Sequence, residues 1–122
     1  MTIAVIVVIG VFFAGMGIYA LAAPTAIIRP FGITLADAAS RSEVRAVYGG
    51  FGLAIAGVLA YAAVESDVRT GVLLTVGVAL AGMAFGRLFS AVINERTAFY
   101  PNWFYCLVEL VGAAALFYAI SA

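Results

Sequence analysis

Four stretches of roughly twenty residues, each nearly free of charge, leave this chain few ways to fold. They lie at about residues 3–23, 42–64, 70–93 and 102–120. A helix rising about 1.5 Å per residue needs about 20 apolar residues to cross a hydrocarbon layer ~30 Å thick. In lipid every backbone amide and carbonyl must be paired within the protein, so spanning segments are helices or strands of closed barrels. These runs are about twice the length of a barrel strand and lack its alternation. The expected fold is therefore all-α: a four-transmembrane-helix bundle, with residues 1–122 forming one integral membrane domain.

The amino-acid content supports this reading. Of the 122 residues, 66% are hydrophobic and 10% charged, against about a quarter charged in a soluble domain. Lipid-facing surface has to replace the missing polar surface. The first apolar run reads as a span and not a cleaved leader, because no positive segment precedes it and it exceeds the usual 7–15-residue leader core of about that length. With no histidine and a single cysteine, Cys106, no zinc, haem or iron-sulfur site and no internal disulfide is expected. No cofactor is expected either. The formal charge of zero provides no basic patch for nucleic acid.

Breaks between the runs define three connections. Pro24 stops the first run, and the longest connection, over about residues 24–41, contains Pro30, Gly32 and a polar stretch that leads to Ser42 as the expected N-cap of the second helix. Glu65-Ser66-Asp67-Val68-Arg69 reads as a tight polar turn. The third connection closes over residues 97–101, and the aromatic cluster Phe99, Tyr100, Trp103, Phe104 and Tyr105, where the fourth helix would enter the bilayer, matches an interfacial belt. Arg29, Arg41 and Arg96 fall in the first and third connections, with Arg45 and Arg87 near that end of their helices, whereas the second connection has only Arg69. The positive-inside rule then puts connections one and three in the cytoplasm and both termini outside.

Small residues recur at helical spacing: Gly10, Ala14 and Gly17; Gly50, Ala54 and Gly57; Gly82 and Gly86. They allow close helix approach within the bundle or between copies of the chain, so a homo-oligomer through such faces is one expectation.

Charged side chains inside a span cost roughly 2.5–3.5 kcal/mol each on insertion scales, so they turn inward and pair. Arg87 lies about seven residues, ~10 Å, before the end of the third run, and Glu109 the same distance after the start of the fourth. Antiparallel neighbours would carry these opposite charges at one depth. Helical spacing adds Ser90 and Asn94 to the stripe of Arg87, and Asn102 to that of Glu109, while Glu43, Arg45 and Tyr48 come from the same end of the second helix. The candidates for ligand binding or ion pairing are thus Glu43, Arg45, Tyr48, Arg87, Ser90, Asn94, Asn102 and Glu109.

The segment Ser42-Glu43-Val44-Arg45-Ala46-Val47-Tyr48-Gly49-Gly50, the later Gly86-Arg87-Leu88-Phe89-Ser90 and Glu109 resemble a family of small bacterial four-helix membrane proteins classed as a domain of unknown function. The broader architecture resembles that of the DoxX-like proteins. The resemblance covers nearly the whole chain and implies four spans and a bacterial inner-membrane location. It marks Glu43, Arg45, Tyr48, Arg87 and Glu109 as motif positions and carries no activity with it.

Three functions compete at this point. The cluster suits a site for a lipophilic small molecule with a polar end, such as a lipid, quinone or terpenoid, under a long loop. An accessory or assembly role would use the ion pair as a lock and the Gly82 and Gly86 face for docking. Transport is the third reading, since small multidrug exporters share the layout, but their essential carboxylate sits in the first helix, which here carries no charge. No nucleophile triad, phosphate loop or metal motif supports a particular enzyme class.

Overall fold

The structure is a computed structural model and describes residues 1–93 and 96–121. Four helices are long and apolar enough to cross a membrane: α1 (Thr2–Ala22), α3 (Ala38–Val64), α4 (Ser66–Ile93) and α5 (Phe99–Ser121). A short helix, α2 (Pro24–Ile28), and a 3₁₀ turn over Arg29–Phe31 lie between the first two. Within α3 the chain widens to a π turn over Arg45–Gly50, and α5 opens with another over Phe99–Trp103. Successive helices run up and down. The α1–α3 and α4–α5 pairs make the most extensive contacts, and α1 and α5 touch much less.

Two boundaries differ from the sequence expectation, and helix-end chemistry explains both. The second span starts not at Ser42 but at Ala38, because the Asp37 carboxylate accepts from the Ser40 amide at 2.9 Å and from its hydroxyl at 2.6 Å. Asp37 is therefore the N-cap. The expected turn of residues 65–69 is mostly helix, since α4 begins at Ser66. Glu65 Oε1 accepts the Asp67 amide at 3.3 Å, while Arg69 donates from Nε to Ala62 O at 2.9 Å and from Nη2 to Ala63 O at 3.1 Å. These polar residues pair the orphan groups of two helix ends, so one residue suffices between them.

Glycine decides how closely α1 and α3 approach. A methyl group on Gly17 would lie 2.9 Å from both Gly49 O and Leu53 N, and one on Gly52 would lie 3.1 Å from Phe13 O. The seam of α3 thus runs through Gly49 and Gly52, both buried, and not through Gly50, Ala54 and Gly57, which are exposed. Two small-residue stripes coexist on this helix, and partnership with Gly17 selects one. Among the described residues, Gly82 and Gly86 have no neighbour within 4 Å of a would-be methyl group, so they form no close helix contact there.

The core occupies the end of the bundle that holds the termini. Ile6, Leu59, Leu73 and Leu116, one from each span, are at most 1% exposed and lie in one buried cluster. This apolar plug closes that end and leaves the polar side chains to the other.

Candidate functional site

From beside the plug to the opposite end, the packing opens on one side. A cavity of about 1030 Å³ lies chiefly between α1 and α5, with α4 behind it and residues of the α2 connection beside it. Its α1 wall runs from Ala4 to Tyr19, about 22 Å along the axis. Val8, Val11 and Phe12 on one side and Phe104, Leu107 and Val111 on the other are all at least 40% exposed. The space is therefore open sideways, along the surface that lipid covers. Weak contact between α1 and α5 is what leaves the gap.

Arg87 reaches this cavity from α4 and Glu109 from α5. Arg87 Nε donates to Glu109 Oε1 at 2.9 Å and Nη2 to Glu109 Oε2 at 3.1 Å, a two-pronged pairing of planar groups. Nη1 donates to Asn102 Oδ1 at 3.2 Å. Glu109 is only 4% exposed, so without Arg87 it would be left buried and unpaired. The guanidinium carbon also sits 5.7 Å from the centre of the Phe31 ring and 6.0 Å from that of Tyr105, within cation–π range. Those two rings lie 5.6 Å apart. Phe31, from the 3₁₀ turn, thereby fixes the long connection over the polar end.

The other candidates are distributed unevenly. Tyr48 is half-buried and lines the cavity, and Asn102 is half-buried and bound to Arg87. Glu43 is exposed and outside the cavity wall. Arg45 is exposed as well, and its Nε donates to Leu21 O at 3.1 Å, pairing a carbonyl at the end of α1. Ser90 is half-buried but does not line the cavity. Asn94 lies outside the described residues. The structure thus brings Tyr48, Arg87, Asn102 and Glu109 to one place and leaves Glu43, Arg45 and Ser90 around it.

Residues without charge complete the wall. Tyr19, Tyr100 and Tyr105 line the cavity beside Tyr48. Tyr100 and Phe104, expected as interfacial anchors, are exposed and also form part of this wall, with ring centres 5.7 Å apart. Phe31 had no signal in the sequence beyond its place in the longest connection. Buried Cys106, whose thiol approaches Ala84 O at 3.9 Å, sits in the α4–α5 seam and not in the wall.

Among the described residues, no group of three or more potential metal ligands is present. The site is an apolar trough whose polar end combines an internally neutralised ion pair with phenol hydroxyls. Such a surface can hold an amphiphile. The family model with the description Domain of unknown function (DUF4345) matches residues 1–120. No curated protein and no solved structure matches the chain.

Proposed function

The chain belongs to this DUF4345 family, and because membership assigns no activity, we propose from the site itself that it binds a lipophilic small molecule. The carrying observation is that a single cavity joins a long, laterally open apolar trough to Arg87 and Glu109. At about 1030 Å³ it is at the upper end of the size of small-molecule pockets, about 300–1,000 Å³. The tail of the ligand would lie between α1 and α5, and its polar end would meet Arg87, Tyr48 and the neighbouring phenols. Lateral opening lets such a molecule arrive from the bilayer without crossing water.

Gly15 provides the test. It lines the cavity, and a Cβ atom there would meet nothing within 4 Å. Gly15→Phe should fill the trough without touching the ion pair, and lipid co-purifying with the wild type should be lost, as read by mass spectrometry of extracts. Undiminished retention in Gly15→Phe and in Arg87→Ala would rule the reading out.

A second reading keeps the ion pair as a structural lock in an accessory protein. It is favoured by the Gly82 and Gly86 face, where none of the described residues lies within 4 Å of an added Cβ, and crosslinking at Gly82→Cys that recovers neither a partner nor a second copy would dismiss it. Transport is disfavoured by the apolar plug of Ile6, Leu59, Leu73 and Leu116, which leaves an ion no polar route.

The arginine distribution supports an orientation with connections one and three in the cytoplasm, and the resemblance to bacterial proteins supports an inner-membrane location. In a Cys106→Ala background, Thr34→Cys should resist an impermeant maleimide applied to intact cells. Ready labelling from outside would reverse the topology.

A further inference from the structure

Resting on that reading, we infer that the polar end of the cavity selects a neutral head group of the carbonyl class, a quinone or an ester carbonyl, and discriminates against anionic head groups. The argument starts from charge. Among the described residues of the cavity wall, Arg87 and Glu109 are the charged ones, and their two-pronged contact, at 2.9 and 3.1 Å, makes the site neutral as it stands.

An anion arriving at Arg87 would add a net negative charge beside a carboxylate that is 4% exposed. In surroundings of low dielectric an uncompensated charge is strongly disfavoured. To bind well it would have to displace Glu109 from Arg87, which only transfers the imbalance to Glu109. A cationic head meets the mirror-image problem, because it would add a net positive charge beside a carboxylate that Arg87 already neutralises.

A neutral acceptor meets neither obstacle, and the wall is rich in donors. A guanidinium carries five N–H groups. Glu109 and Asn102 take one each from Nε, Nη1 and Nη2. One N–H on Nη1 and one on Nη2 are left over, and Tyr19, Tyr48, Tyr100 and Tyr105, each carrying a hydroxyl donor, line the same cavity. A carbonyl oxygen has two lone pairs and can accept two of these donors without disturbing the pair. Its apolar remainder then follows the trough between α1 and α5.

The experiment offers the purified full chain, in detergent micelles, equimolar dioleoylglycerol, dioleoylphosphatidic acid and a decyl-benzoquinone, and reads bound species by native mass spectrometry. The first two probes have the same tails and differ by the phosphate. The wild type should retain dioleoylglycerol or the quinone, or both, roughly tenfold or more over the phosphatidic acid, and the arm that dominates identifies the carbonyl source. Glu109→Gln leaves Arg87 uncompensated, so it should move the ratio toward phosphatidic acid by about tenfold or more. Preferential retention of phosphatidic acid by the wild type, or a ratio indifferent to Glu109→Gln, overturns the charge selection while leaving lipophile binding intact. Retention of none of the three overturns both. If Glu109→Gln does not fold, the wild-type ratio alone still decides.

Discussion

Breaking the ion pair from one side should cost far more than removing it altogether. In Arg87→Met, Glu109 keeps its place on α5 with 4% exposure and loses two charge-assisted bonds of 2.9 and 3.1 Å. Each such bond is worth about 1.5–3 kcal/mol, and stranding a buried partner costs about 3–5 kcal/mol in soluble proteins. Helices separated in lipid still find polar partners, which lowers the loss measured in membranes. Arg87 is also open on one side, with 21% of its side chain exposed. A destabilisation of about 2–4 kcal/mol is the expected result for Arg87→Met. Glu109→Leu should behave similarly, because it leaves the guanidinium with only Asn102. The double variant replaces both charges with apolar groups of similar bulk and should recover most of the loss, giving a coupling energy of about 2 kcal/mol or more. Reversible unfolding in mixed micelles, titrated with denaturing detergent, measures all four corners of the cycle. Single variants within about 0.5 kcal/mol of wild type, with additive effects, would refute the argument, since the pair could not then be desolvated and mutually dependent.

The α1–α3 seam predicts that Gly17→Ala destabilises by about 1–3 kcal/mol, because the new methyl meets backbone atoms at 2.9 Å, whereas Gly86→Ala leaves the thermal transition unchanged; equal transitions would contradict the packing described. Leu116 is 0% exposed in the plug, so Leu116→Ala should cost about 2–5 kcal/mol in the same detergent titration, and a loss under 1 kcal/mol would show that this end is loosely packed. The hydrogen bonds of Asp37 to Ser40, its side-chain hydroxyl first and then its amide, hold the carboxyl below its usual range. A depressed folded value means that the cap contributes above the unfolded value and is lost as pH falls through the folded one. Protection of the first amides of α3, taken as hydrogen exchange relative to the intrinsic rate, should therefore fall on acidification below the ordinary carboxylate range in the wild type and be low at every pH in Asp37→Ala. A rate in wild type that tracks only intrinsic exchange would exclude the cap.

Much of the architecture was legible in the sequence because lipid imposes a simple rule. Length and lack of charge mark a span, and the high cost of an isolated charge makes Arg87 and Glu109 conspicuous and places them at one depth. Their pairing follows from antiparallel neighbours. The polar residues near span ends were harder to place. Arg45, Glu65 and Arg69 are as polar as Arg87, yet the structure uses them on backbone groups: Leu21 O, the Asp67 amide, and the carbonyls of Ala62 and Ala63. A side chain that pairs a helix end and one that lines a site look alike in sequence, because both are polar residues at a hydrophobic boundary. The same ambiguity put the start of the second span at Ser42 when Asp37 caps it five residues earlier.

Hydropathy by itself therefore determined that the chain makes four spanning helices, because apolar runs of this length without strand alternation satisfy their backbone in lipid as helices, and it identified the two charges that need a partner. Tertiary structure alone decided which glycine stripe of α3 faces α1, that Phe31 folds back over Arg87, and that contact between α1 and α5 is slight beside that of α1 with α3 and α4 with α5. These outcomes depend on which helix faces meet, and a uniformly apolar surface leaves that choice to the shapes of side chains brought together from opposite ends of the chain. The cavity exists because the two terminal spans, α1 and α5, make little contact along their length, and its polar end lies where Arg87 and Glu109 meet.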